Sequence, residues 1–168
     1  MFEEMVVVGL DPGLRYTGYA AAVGSERGVA VREVGVLRVP GGTWSARLRE
    51  VYRDAAALLA DLRPDRVALE DVFAHARHPR TAVHVAHVRG VLYLAAAEAG
   101  VPVESLPPAA VKRAVCGNGR APKAQVQAAV RSLLGLFGEL DPHAADALAL
   151  AATALARAGY RLGPEGKR

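Results

Sequence analysis

Hydrophobic positions repeat with two different periods along the chain, and the switches between them delimit its elements. Val6-Val7-Val8-Gly9-Leu10 is an unbroken apolar run with β-branched residues, which predicts a central strand over residues 5–10, covered on both faces. Residues 16–23 and 29–39 read as two further strands, with Gly24 to Gly28 as the hairpin turn. Pro40-Gly41-Gly42 breaks the pattern. Trp44, Leu48, Val51, Tyr52, Ala55, Leu58 and Leu59 then recur at helical spacing, predicting a helix over 44–62 that Arg63-Pro64-Asp65 ends. A fourth strand over 66–70 leads through a polar stretch, Asp71 to Arg80, into a helix over 81–99 closed by Gly100. Residues 101–106 form a fifth strand, and Pro102 in it suggests a sheet edge. Helices follow over 108–115, 123–135 and Pro142 to Arg157. The last one opens with Asp141 suited to the N-cap and Pro142 to the first helical position.

The order is βββαβαβααα. Three strands able to pair antiparallel, followed by crossovers to parallel ones, predict an α/β domain of ribonuclease H-like arrangement. Its five-stranded mixed sheet has the order 3-2-1-4-5 and is flanked by helices. Residues 1–158 are expected to form this one domain, and 159–168 a flexible basic C-terminal tail.

Lys and Arg number 21 against 17 Asp and Glu, a net charge of +4, which is compatible with a polyanionic partner. The single cysteine, Cys116, excludes a disulfide framework within the chain and fits a reducing compartment. The acidic opening Met1-Phe2-Glu3-Glu4 lacks the basic region of a signal peptide. No apolar run approaches the roughly 18 residues of a membrane span. A cytoplasmic protein without a membrane partner is expected.

Asp11 ends the first strand beside Pro12 and Gly13, either as a turn residue or as a carboxylate at the crevice where α/β sheets bind ligands. Glu70 ends the fourth strand in the same way. In a 3-2-1-4-5 sheet these strands are neighbours about 4.8 Å apart. The helix from Pro142 carries His143 and Asp146 at i, i+3 on one face. Alanines at 144, 145, 147, 149, 151 and 152 let that helix approach the sheet closely. Two carboxylates about 4 Å apart repel by about 1 kcal/mol in water and about 4 kcal/mol at an effective dielectric of 20. A cluster of three therefore calls for a dication. Oxygen-rich sites suit Mg²⁺ or Mn²⁺, and two such ions about 4 Å apart can activate water and stabilise the leaving oxygen of a phosphodiester.

At these residues the chain resembles the RuvC family of bacterial Holliday-junction resolvases. The matching motifs are Gly9-Leu10-Asp11-Pro12-Gly13 with Thr17-Gly18, Leu69-Glu70-Asp71-Val72-Phe73, Ala110-Val111-Lys112, Gly117-Asn118-Gly119 with Lys123 and Val126, and Ala144-Ala145-Asp146-Ala147-Leu148-Ala149. They stand in the family's order and cover nearly the whole chain. The resemblance implies that Asp11, Glu70 and Asp146 are catalytic, metal-binding carboxylates. His143 falls where many members carry a fourth carboxylate and some carry histidine. It is expected to complete a second metal site and tilt selectivity toward Mn²⁺, since imidazole suits borderline ions better than Mg²⁺. Asp141 is a rival ligand, but its place before Pro142 already explains it as a cap. The resemblance further implies that Phe73 stacks on a base at the opened crossover, and that Lys112 and Lys123 contact the scissile-strand backbone. Arg77, Arg80 and Arg120, and after them Arg89 and Arg131, are further candidates for phosphate contacts.

His75, His78, His84 and His87 cluster beyond Phe73 and are expected to line a DNA-facing or dimer-facing surface, with a zinc site the rival reading. The implied function is a structure-selective endonuclease that resolves four-way DNA junctions by paired symmetric nicks in recombination and repair, leaving 5′-phosphate and 3′-hydroxyl ends. Paired nicks need two active sites, so a homodimer is implied. Its interface is expected on the helix at 81–99, with Val83, Val88, Val91 and Leu92 as candidates; the alternative is that they are core. The branch-migration proteins RuvA and RuvB are the implied partners. Two alternatives stand: another ribonuclease H-like nuclease acting on RNA or an RNA–DNA hybrid, and a junction-binding protein that does not cleave. An actin-like ATPase would share the opening glycine loop but needs two such lobes.

Overall fold

The computed structural model describes residues 3–39, 41–71 and 79–163. Strands β1 (Met5–Asp11), β2 (Tyr16–Ser25), β3 (Gly28–Arg38), β4 (Arg66–Glu70) and β5 (Val103–Leu106) form one sheet in the order β3-β2-β1-β4-β5. β2 is antiparallel to both β1 and β3, whereas β4 is parallel to β1 and β5. The carboxyl ends of β1, β3, β4 and β5 and the amino end of β2 therefore meet along one end of the sheet. The helices are α1 (Trp44–Leu62), α2 (Pro79–Glu98), α3 (Pro108–Cys116), α4 (Lys123–Leu133) and α5 (Pro142–Arg157). This is the ribonuclease H-like order that the alternation of elements predicts.

Boundaries differ from the expected ones where capping competes with pairing. The β2–β3 turn is shorter than expected, since Ser25 pairs with Gly28 and leaves only Glu26 and Arg27 between the strands. β5 starts at Val103 because Val101 is used by the end of α2. Its N–H bonds Ala96 O at 2.9 Å while Gly100 N–H, at φ +70°, bonds Ala97 O at 3.0 Å. Pro102 has no N–H to offer the ladder, and its carbonyl accepts from Val67 at 3.0 Å.

Two apolar layers cover the sheet, sorted by strand alternation. Val8, Leu10, Ala21, Val67 and Leu69 face α1 and α2, where they meet Val51, Ala55, Leu59, Val88 and Leu92. Val7, Ala20, Ala22 and Ala68 face α3, α4 and α5. The second layer is thin because α5 is nearly all alanine on its sheet side and β1 and β2 offer glycines beneath it. A Cβ on Gly9 would stand 1.9 Å from Ala147 O, and one on Gly18 2.0 Å from His143 O. Helix and sheet thus touch backbone to backbone.

The α2 interface candidates need correction. Val88 and Leu92 are fully buried beneath α1 and Val91 packs beside them, so these three belong to the core. Their spacing of three and four residues turns them toward α1. Val83 is exposed. Among the described residues no helix is long and apolar enough to cross a membrane. The chain beyond α5 stays on the body at first, where Tyr160 lies over Gly24 and its hydroxyl donates to Glu3 O at 2.5 Å.

Candidate active site

Asp11 is the last residue of β1, paired with Gly18, rather than a residue of the turn that follows. Val7 and Gly9 face α5, so alternation brings Asp11 out on the α5 side. Ala68 does the same for Glu70 on β4. The parallel register pairs Leu10 with Leu69, which sets the two carboxylates side by side one residue further on. Arg89, from α2, holds this strand end. It donates to Glu70 O at 3.0 Å, to Asp71 Oδ1 at 3.1 Å and to Ser105 Oγ at 2.6 Å.

α5 brings the third carboxylate. Asp141 caps it, accepting from His143 N at 2.8 Å and Ala144 N at 3.4 Å, so this side chain is committed to the helix start. Asp146 emerges one turn later. Its Oδ2 lies 2.5 Å from Lys123 Nζ, and its Oδ1 accepts from Gln127 Nε2 at 3.0 Å. Gln127 also donates to Pro142 O at 3.2 Å, which ties α4 to the first turn of α5. Sequence reasoning missed Gln127; its signal was the i, i+4 spacing from Lys123 on one helical face. His143 Nδ1 stands 3.3 Å from Asp11 Oδ2, with the Tyr16 ring 6.1 Å from the imidazole.

Asp11, Glu70 and Asp146 line one cleft of about 250 Å³, together with Lys112 from α3 and Lys123 from α4. Burial, reinforced by the charge of Asp146, pushes the Asp11 carboxyl up to about 6 against the opposing pull of His143 and Lys123. Burial and then the charges of Asp11 and Asp146 push Glu70 up to about 7, with Lys123 and Lys112 pulling the other way. Burial pulls the Lys123 ammonium down, but its hydrogen bond to Asp146 and the three carboxylate charges outweigh this and leave it raised. The cleft is thus short of positive charge when its acids are ionised.

Among the described residues no three His, Cys, Asp or Glu side chains are gathered closely enough, as they stand, to hold a metal ion. An ammonium, that of Lys123, serves Asp146 instead. The donor chemistry nevertheless fits a hard dication, because two partly desolvated carboxylates repel each other and the third is already neutralised by a cation. Asp11, Glu70 and Asp146, with His143 beside Asp11, are the residues able to hold one.

The DNA-contact candidates divide. Lys112 and Lys123 line the cleft, and Arg80 and Arg120 are exposed on the surface. Phe73, Arg77, His75 and His78 lie outside the described residues. Arg89 is corrected, being spent on the β4–β5 end described above, whereas Arg131 donates to Gly138 O and keeps its Nε without a hydrogen-bond partner. His84 and His87 pack on α1, His84 edge-on to Trp44 at 4.6 Å and His87 Nδ1 accepting from Trp44 Nε1 at 3.0 Å.

The family model for the crossover junction endodeoxyribonuclease RuvC matches residues 7–154. A crossover junction endodeoxyribonuclease RuvC from Rhodopirellula baltica is 44% identical over 146 residues, which cover 86% of this chain and 82% of that protein. The structure of Thermus thermophilus RuvC superposes with a TM-score of 0.82 at 34% identity, covering 93% of this chain and 98% of that one. The same protein in complex with a Holliday junction substrate gives 0.80 at 32% identity over 92% and 97% of the two chains. Nucleases of this family depend on divalent metal ions. With the motif order, the sheet topology and these likenesses in agreement, the chain belongs to the RuvC family of crossover junction endodeoxyribonucleases.

Proposed function

We propose that this chain is a divalent-metal-dependent endonuclease that resolves four-way DNA junctions by paired symmetric nicks, with the cleft between β1, β4 and α5 as its active site. One observation carries the assignment of the site. Carboxylates from three elements far apart in sequence share a single cleft with two lysines. Asp11, Glu70, Asp146 and His143 are the proposed ligands. A dication held there would polarise the scissile phosphodiester and make the attacking water acidic enough to react near neutral pH.

The remaining roles belong to the protein. Lys112 and Lys123 offer ammonium charge to the phosphate oxygens of the cut strand. Gln127 fixes the orientation of Asp146 through Oδ1, while Oδ2 faces the Lys123 ammonium. Arg89 fixes the end of β4 and so the position from which Glu70 reaches the cleft. Buried backbone contact between α5 and the sheet fixes the helix that carries Asp146 over β1 and β2.

Two ions per site, with Mn²⁺ preferred through His143, form the finer part of this proposal, as do a homodimer using the exposed part of α2, RuvA and RuvB as partners, and a cytoplasmic location. Residues 1–158 act in it as one nuclease domain, with 159–168 appended. Phe73 is proposed to stack on a base at the crossover, and Arg77, Arg80 and Arg120 to hold flanking phosphates.

The test is cleavage of a mobile synthetic four-way junction by wild type and Asp146→Asn, with Mn²⁺ and with Mg²⁺. Wild type is expected to nick opposed strands, and the variant to retain junction binding while its rate falls about 10²-fold or more. A wild type that shifts the junction in a gel but never nicks it overturns the proposal. So does one that cuts an RNA–DNA hybrid and leaves the junction whole.

A further inference from the structure

Three arginines from three different segments converge on a second cleft, of about 360 Å³, at the same end of the sheet: Arg15 before β2, Arg38 at the end of β3 and Arg47 on α1, with Tyr16 between them. Among the described residues no carboxylate lines it. Arg15 and Arg38 are exposed, and among the described residues neither forms an ion pair. Backbone pairing and one side-chain bond bring the three segments together. Val39 N–H bonds Arg15 O at 2.8 Å, Arg38 pairs with Tyr16 across the ladder, and Arg47 Nη2 bonds Leu14 O at 2.5 Å. Arg47 also stacks on Trp44 at 4.9 Å, and its Nε is buried without a hydrogen-bond partner. Three like charges brought together with no counter-charge, one carrying a buried and unpartnered donor, describe an anion site.

Its position says which anion. Along the sheet end the order is Arg38 on β3, Tyr16 on β2, Asp11 on β1 and Glu70 on β4. Two strand spacings separate Arg38 from Asp11, on the order of 10 Å, the rise of about three nucleotides along one DNA strand. Lys112 and Lys123 approach the carboxylates from α3 and α4, in a cleft that no described residue of β2 or β3 lines. The bridge between the clefts is short: the Tyr16 ring lies 6.1 Å from the His143 imidazole, which lies beside Asp11.

We propose that the Arg15/Arg38/Arg47 cleft binds a backbone phosphate of the DNA strand being cut, a few nucleotides from the scissile bond and on the far side of it from the lysines. The strand is thereby gripped on both sides of the carboxylates, and bidentate guanidinium contacts fix its register over them. This inference rests on the junction-cleaving reading and extends it to a site outside the metal cleft.

The test uses the Arg15→Ala/Arg38→Ala double variant and, as a control with the same change of charge, Arg49→Ala/Arg53→Ala, whose arginines pair with Glu50 on α1. Arg47 is spared because it supports the loop. Binding to a four-way junction and to linear duplex is measured in EDTA across a salt series, with melting temperatures to establish folding. The double variant is expected to bind the junction about tenfold more weakly or worse. Its log–log salt slope is expected to be shallower by about one for each phosphate that the protein no longer neutralises. The control is expected to keep affinity and slope. A double variant that melts like wild type and binds with unchanged affinity and slope overturns the proposal, as does a control that weakens binding equally. A wild type that holds linear duplex as tightly as the junction counts against the junction-cleaving reading instead; the arginine cleft is then upheld or overturned by the same comparison on duplex.

Discussion

Lys123 Nζ and Asp146 Oδ2 stand 2.5 Å apart, so the last carboxylate of the proposed metal site already holds a cation of the chain's own. A divalent ion has to displace that ammonium, and the displaced ammonium is then free for a phosphate oxygen. Lys123→Met is expected to strengthen Mn²⁺ binding by the DNA-free protein about three- to tenfold, a modest gain because Lys123 is largely exposed. The same variant is expected to slow junction cleavage by about tenfold or more. Calorimetric titration and single-turnover cleavage check the two arms; unchanged metal affinity would show that the pair does not compete.

The metal-free site should make the fold less stable at neutral than at mildly acid pH. Asp11 and Glu70 have carboxyls raised to about 6 and about 7 in the fold, chiefly by burial. A raised carboxyl favours the folded state while it is protonated. That contribution is complete below about pH 4 and is lost as pH rises through 6 and 7. Asp11→Asn is therefore expected to be more stable than wild type at pH 8 in EDTA, by on the order of 1–3 kcal/mol, with the gain shrinking as pH falls below 6 and vanishing below about pH 4. Urea denaturation at the two pH values measures this. An Asn variant less stable than wild type at pH 8 would contradict it.

His143 beside Asp11 sets up a metal-preference experiment. His143→Asp replaces a borderline nitrogen donor with a hard oxygen, so cleavage supported by Mg²⁺ is expected to rise relative to Mn²⁺ by about fivefold or more. The measured quantity is the ratio of the two rates on one junction. A ratio equal to that of wild type means His143 does not ligate.

Gly9 tests how the site is held. A methyl there would meet Ala147 O at 1.9 Å, a backbone atom that cannot rotate away. Gly9→Ala is expected to lower stability by about 3 kcal/mol or more and to reduce cleavage as α5 is lifted. The chemical denaturation midpoint and the cleavage rate should fall together. A stable variant with wild-type activity would show that α5 can shift without consequence.

Most of this architecture is legible in the chain because it depends on local period. The all-apolar β1, the helical stripe of α1 and the Asp141-Pro142 start of α5 each state their own element. Alternation along β1 and β4, together with the sheet order, suffices to bring Asp11 and Glu70 together. Partners set by packing are not legible in the same way. Arg89 reads as a surface cation, yet bonds the ends of β4 and β5. Val88 and Leu92 read as candidate interface residues, yet α1 covers them. Arg15, Arg38 and Arg47 lie in separate segments of unremarkable composition, and only the register of β2 against β3 and the bond from Arg47 to Leu14 O make them neighbours.

Because α5 supplies Asp146 and seats itself on β1 and β2, strands made more than a hundred residues earlier, the proposed cutting centre is finished only after residues 142–157 have been made. A chain still emerging from the ribosome carries Asp11 and Glu70 but not the helix that completes them. The order of synthesis thus leaves the proposed site incomplete until its last helix is in place.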